Sequence, residues 1–190
     1  WMLVVGGREA ERDEVSARQR GDIHWLRQLQ VSLRENRFEL HAQPVISTAG
    51  RVTRGPALEV LLRMIAEDGK LVQPRQFIPA AERYRLISRI DRWVVRNAFR
   101  KLVEQQRSSP VELHWAINLS GGSIDEESFL ADVLAQLDSS GVSPQSILFE
   151  ITETAAVANL ARAQQFIRTL KARGCRFVRD DFGTGLSSFA

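Results

Sequence analysis

Apolar and polar positions follow two rhythms along this chain. Four short apolar runs each bring an oxygen ligand to where the run stops: Ala57-Leu58-Glu59-Val60-Leu61-Leu62-Arg63, Leu113-His114-Trp115-Ala116-Ile117-Asn118, Ser146-Ile147-Leu148-Phe149-Glu150-Ile151-Thr152-Glu153 and Cys175-Arg176-Phe177-Val178-Arg179-Asp180-Asp181. Such runs read as buried strands. A fifth strand, Phe38–Ile46, alternates apolar and polar residues. Between the strands, apolar residues recur at helical spacing. Leu86, Ile87, Ile90, Trp93, Val94 and Phe99 mark one helix, with Pro74 and Pro79 punctuating the approach to it and Ser108-Ser109-Pro110 closing it. Phe129, Val133, Leu134 and Leu137 mark another after Gly121-Gly122, and Leu160, Phe166, Ile167 and Leu170 a third, stopped by Gly174. Turn chemistry falls at Ser47–Arg51 and Asp68-Gly69.

Strand alternating with helix implies parallel pairing and an α/β fold. Five strands are visible, and an eight-stranded (β/α) barrel takes about 250 residues. The expectation for these 190 residues is a TIM-like (β/α)8 barrel cut after its fifth strand. Before residue 37 the pattern changes. Gly6 to Gly21 is polar and charge-dense, and Asp22 is a candidate cap for a helix bearing Ile23, Leu26, Leu29 and Leu33. Residues 1–36 therefore read as a linker helix behind the tail of an upstream domain, and residues 37–190 as the barrel portion. Leu29 and Leu33 equally allow a dimer seam.

In a barrel or open α/β sheet, the carboxyl ends of the strands face one mouth. Strand alternation puts Ala116 with Asn118, Leu148 with Glu150 and Val178 with Asp180. Carboxylates and an amide gathered there suit a hard cation such as Mg²⁺. Each residue also has a plainer role. Glu59 can be a surface charge, Asn118 can start a turn, and Glu150 and Glu153 can be acids at a helix N-terminus. Asp180-Asp181 is the sharpest feature, since adjacent acids at a strand end call for a cation or bases nearby. Asp181-Phe182-Gly183 matches the kinase metal triplet, but no Gly-rich phosphate loop or His-Arg-Asp segment precedes it. Arg63 suits a phosphate or an ordinary surface. His41 and His114 could be ligands, but each reads better as a core or surface histidine, since a Mg²⁺-type site needs no nitrogen.

Composition narrows the field. The net charge is +3 with interspersed signs, which gives no polynucleotide footprint. No apolar stretch approaches the roughly 20 residues of a membrane span. Cys175 is the only cysteine, so no internal disulfide forms and a reducing cytoplasm is expected.

With those residues in place, the chain resembles the EAL domain, the bacterial phosphodiesterase module for cyclic di-GMP, from about Arg37 to Ala190. The likeness rests on Phe38-Glu39-Leu40-His41-Ala42-Gln43-Pro44, Glu59-Val60-Leu61-Leu62-Arg63, Phe77-Ile78-Pro79-Ala80-Ala81-Glu82, Asn118-Leu119-Ser120, Glu150-Ile151-Thr152-Glu153 and Asp180-Asp181-Phe182-Gly183-Thr184-Gly185. The signature triplet here is Glu-Val-Leu, which keeps the carboxylate. Arg20–Leu26 is similar to the linker joining a GGDEF domain to an EAL domain.

The resemblance implies a (β/α)8 barrel with one strand reversed. It implies that Glu59, Asn118, Glu150 and Asp180 hold one Mg²⁺ or Mn²⁺ and that Asp181 serves a second. It assigns Glu153 to bracing the Asp181–Ser188 loop, and Gln43 and Arg63 to the substrate. The implied reaction is hydrolysis of cyclic di-GMP to linear pGpG, with Glu59, Glu153 and Asp181 as catalytic residues. Expected partners are an upstream GGDEF or sensor domain and a second EAL copy. Two departures stand out. The family's lysine and last metal-binding glutamate have no counterpart by motif within residues 1–190, and Arg179 replaces an apolar residue. The alternative is a receptor that binds cyclic di-GMP without cleaving it. Such receptors usually lose a metal ligand, whereas Glu59, Asn118, Glu150, Asp180 and Asp181 are all retained. Made alone, residues 1–190 are expected to be inactive and unstable or oligomeric, because a cut barrel has open edges. A monomer that unfolds cooperatively in urea would contradict this.

Overall fold

The computed structural model describes residues 21, 23–45, 57–108, 111, 113–151 and 159–179. The expectations for Asp22, the Ser47–Arg51 turn, Glu153, Asp180, Asp181 and the glycine-rich loop fall outside these residues, as does the Arg179 side chain. Among the described residues the order runs from a helix, α1 (residues 23–35), to β1 (Phe38–Val45) and β2 (Ala57–Ile65). It continues through β3 (Leu71–Val72), α2 (Pro74–Arg83), α3 (Ile87–Ser108), β4 (His114–Leu119), α4 (Gly121–Ile124) and α5 (Glu127–Ser140). A 3-10 turn at Pro144–Ser146 leads into β5 (Ile147–Ile151), followed by α6 (Leu160–Ala172) and β6 (Arg176–Arg179). Gly141 ends α5 with φ +76°, a left-handed cap that glycine adopts without a Cβ clash.

The strands make one sheet in the order β1-β2-β4-β5-β6, with β3 attached to β2. β2, β4, β5 and β6 pair in parallel, while β1 runs antiparallel to β2. This is the expected strand–helix barrel portion with its one reversed strand. β3 is a sixth strand that the sequence pattern does not reveal, because two residues carry no periodicity. It pairs through Met64 and Ile65 and lengthens the β1–β2 ribbon.

Two expectations need correction. Pro74 and Pro79 do not merely precede a helix. Pro74 opens α2 at its first position, where its missing N–H costs nothing, and Pro79 lies inside it. Buried Phe77, Ala80 and Ala81 hold that helix on the core despite the hydrogen bond that Pro79 removes. The segment after Gly121 is also split, into the single turn α4 and then α5.

The core lies between the helices and one face of the sheet. Val60, Met64, Ile117, Phe149 and Ile151 alternate onto that face and are buried. Phe149 packs against Phe166 of α6 and Phe177 of β6 at ring separations of 6.3 and 5.7 Å. Phe38 meets Phe77 and Trp93. α1 joins this core: Leu29 is fully buried, with Trp25, Leu26 and Leu33 packed alongside. Leu29 is thus occupied within the chain and is not a free dimer seam, while Ile23 on the same helix is exposed.

One charged cluster ties α3 to the α4–α5 corner. Arg92 donates to Glu126 and Ser128, each at 2.8 Å, and to Asp132. The Arg92 guanidinium holds the Glu126 carboxyl down at about 2, well below its ordinary 4.5.

Replacing Leu29 by Ala is expected to cost about 3 kcal/mol, the usual cost of an emptied core site, read as a lower urea midpoint. A dimer-seam role would instead make the midpoint depend on protein concentration. Glu126 contributes stability that is present above pH 4.5 and is lost as pH falls through 2. Glu126→Gln is therefore expected to destabilise by under about 1 kcal/mol at neutral pH, since the pair is half exposed. That gap should close as urea midpoints are measured from pH 4.5 down to pH 2.

Candidate functional site

The face of the sheet turned away from the helices carries the polar residues. Strand alternation sends Val60, Ile117 and Phe149 into the helix layer, so their neighbours Glu59, Asn118 and Glu150 emerge on the other side. Register then decides their spacing. Glu59 pairs with Ala116. Asn118 pairs with Glu150, and Glu150 with Val178. Asn118 thus stands directly opposite Glu150, about 4.8 Å away in backbone terms, and diagonal to Glu59, which is level with Ala116 on the strand at its other side. Small Ala116 and buried Leu148 lie one step lower on the same face and leave room for the longer side chains.

Glu59 is not at the carboxyl end of its strand, as the sequence pattern suggests. β2 continues to Ile65, but its pairing with β4 stops at Val60↔Ile117. Beyond that point β2 belongs to the ribbon with β1 and β3. Glu59 still sits near the top of the parallel region, because β2 outruns its neighbour.

The side chains engage one another. Asn118 Nδ2 donates to Glu59 Oε1 at 3.0 Å. A carboxylate accepts only, so the amide must present its nitrogen to Glu59, and its oxygen remains as the ligand atom. Gln43 is the β1 partner of Glu59 and shares its face. Arg63 lies four residues further along β2, paired with Glu39. One of its N–H groups is committed to the Leu62 carbonyl at 2.7 Å. Among the described residues no three His, Cys, Asp or Glu side chains gather to hold a metal. The described share of the site is two carboxylates and one amide, all oxygen donors, which fits a hard divalent cation. Val178, the β6 partner of Glu150, precedes Asp180 by two residues; Asp180 itself is outside the described residues.

Other candidate groups have structural roles. His114 is buried below Ala116, with its Nδ1 3.5 Å from an Arg176 nitrogen. His41 is exposed, 3.3 Å from Glu39 Oε2. Burial pushes the Cys175 thiol up to about 11, against a nucleophilic role. Clefts of ≈ 100 and ≈ 170 Å³ lie on the helix side, beside Arg92 and Arg162. Both are below the roughly 300 Å³ of an ordinary ligand pocket.

The sequence pattern missed Asp91. It lies on the apolar side of α3, near Ile87, Ile90 and Val94, and is 6% exposed. Its Oδ2 accepts from the Ser120 N–H at 2.9 Å and from the Ser120 and Ser123 hydroxyls, each at 2.6 Å. Burial raises its carboxyl above the ordinary value, with those serines acting in the opposite sense. A carboxylate on the buried side of an amphipathic helix was the available signal.

Comparison with known proteins agrees with the resemblance. The family model for the EAL domain matches residues 26–190. The cyclic di-GMP phosphodiesterase PdeF of Escherichia coli is 35% identical over 168 residues, covering 88% of this chain and 22% of that protein. The cyclic di-GMP phosphodiesterase PdeB of Shewanella oneidensis is 35% identical over 180 residues, covering 94% of this chain and 21% of the relative. The chain therefore spans about a fifth of the length of these relatives. The EAL domain of FimX from Pseudomonas aeruginosa, solved bound to c-di-GMP, matches with a TM-score of 0.76 at 31% identity, over 85% of this chain and 64% of that one.

Proposed function

Because the chain belongs to the EAL domain family, we propose that it carries metal- and substrate-binding residues of a phosphodiesterase that hydrolyses cyclic di-GMP to linear pGpG. The observation that carries this reading is the convergence of Glu59, Asn118 and Glu150 on one sheet face at adjoining strands. Glu59, Asn118, Glu150 and Asp180 would hold one Mg²⁺ or Mn²⁺, and Asp181 a second. Divalent cations bound there supply Lewis-acid polarisation of the phosphate and a more acidic water.

The protein's own residues do the positioning. The Asn118 amide orients the Glu59 carboxylate through its hydrogen bond. Gln43, on the adjacent strand, offers both donor and acceptor groups to the nucleotide. Arg63, two pleats beyond Glu59 on the same strand face, has guanidinium N–H groups beyond the one given to Leu62, enough to grip a phosphate. Glu153 would brace the Asp181–Ser188 loop. The cyclic dinucleotide carries two phosphates, so a cation site and an arginine separated along one strand suit its two ends. A GGDEF or sensor module upstream, a second EAL copy and a cytoplasmic setting belong to the same proposal. The likeness of Arg20–Leu26 to a GGDEF–EAL linker and the single, buried Cys175 support them.

The test is turnover of cyclic di-GMP by the full-length parent protein, with pGpG measured chromatographically. Chelator-treated parent should form no pGpG, and Mg²⁺ or Mn²⁺ should restore it. Glu59→Ala should lower kcat by at least ~100-fold with an unchanged melting temperature, on the scale of lost transition-state stabilisation. Wild-type turnover by Glu59→Ala would end this reading. Tight cyclic di-GMP binding without turnover, with both metals supplied, would replace it by the receptor reading.

A further inference from the structure

The segment that carries Asn118 out of β4 is short and has little to hold it. β4 ends at Leu119, and α4 is a single turn from Gly121 to Ile124. Ser120 stands at the N-cap of α4 without capping it through its side chain. Both serines are turned to α3 instead. Three donors converge on Asp91 Oδ2: the Ser120 N–H at 2.9 Å, the Ser120 hydroxyl at 2.6 Å and the Ser123 hydroxyl at 2.6 Å. The two hydroxyls also lie 2.8 Å from each other. The same turn presses on α3 at Gly122, where an added Cβ would meet Ile87 Cγ2 at 3.1 Å. α3 is a 22-residue helix with nine buried side chains, and so gives a rigid base.

We propose that Asp91 is the positioning residue of the cation site: from α3 it clamps Ser120 and Ser123, and so fixes the backbone that aims Asn118 between Glu59 and Glu150. A carboxylate taken out of water is costly unless its hydrogen bonds are made. An apolar residue at position 91 would give α3 a simpler core face. Asp91 sits instead where its three hydrogen bonds all fall within five residues of Asn118. The carboxylate touches neither substrate nor cation, and acts through Ser120 and Asn118. Partners that orient metal ligands in this way typically change metal affinity 10–100-fold when removed. This inference rests on the proposed cation site.

The test uses the full-length parent protein with Mn²⁺ alone as the probe, comparing wild type, Asp91→Ala, Asn118→Ala and the double variant. Two readouts are taken: Mn²⁺ affinity by calorimetry, and amide hydrogen exchange of the metal-free protein. Asp91→Ala should weaken Mn²⁺ binding at least ~10-fold. It should also speed exchange at residues 119–124 while α3 exchange stays as in wild type. In the Asn118→Ala background it should add less than about two-fold, because the two act in one chain of contacts. Asp91→Asn, which keeps an acceptor oxygen, should recover most of the affinity. Where Asp91→Ala does not fold, the Ser120→Ala/Ser123→Ala pair replaces it and should weaken Mn²⁺ binding in the same sense. Unchanged Mn²⁺ affinity, or an equal fold-loss with and without Asn118, overturns the clamp. A wild-type protein that binds no Mn²⁺ removes the cation site itself, and the clamp's role with it, even where the exchange result is as expected.

Discussion

Parallel register is the constraint on which the rest of this structure depends. Each strand shows alternate residues to opposite faces, so burying Val60, Ile117 and Phe149 against helices forces Glu59, Asn118 and Glu150 onto the other face. The pairing of Asn118 with Glu150, and of Glu59 with Ala116, then sets their heights. A slip of one residue would bury the carboxylates among phenylalanines and expose the core. The desolvation cost of that arrangement protects the geometry of the polar face.

The helix layer holds this register mainly through apolar contact. Phe149, Phe166 and Phe177 form a ring cluster under β5 and β6. Phe38, Phe77 and Trp93 do the same near β1. These contacts fix the strands as bodies but leave the loops at their ends to other forces. At the end of β4 that force is the Asp91 carboxyl group, the only buried acid among the described residues. At the outer corner Arg92 links α3 to Glu126 and Asp132. Adjacent residues on one helix thus serve the inside and the outside of the same turn.

Much of the fold could be read from the chain because its strands are short apolar runs and its helices have clear stripes. The limits had physical causes. β3 is too short to show a period, and its pairing depends on β2 running past the parallel sheet. Pro79 argues against a helix locally, and buried Phe77, Ala80 and Ala81 outweigh it. Leu29 belongs to an ordinary stripe whose partner no local pattern names; the structure supplies it from within the chain. Asp91 is a single charge on an apolar stripe, and its partners lie 29 to 32 positions away in sequence.

The sequence by itself determined the residue types, their alternation and the order of strand and helix, because period-2 and period-3.6 patterns are local consequences of chain geometry. It also carried the oxygen-rich residues and the motifs that mark the family. Only the tertiary structure decided which oxygens meet. The hydrogen bond from Asn118 to Glu59 joins residues 59 positions apart. The clamp on Ser120 needs α3 to cross behind β4. Both depend on strand register and helix packing, which are set by the burial of the whole core and by no single segment.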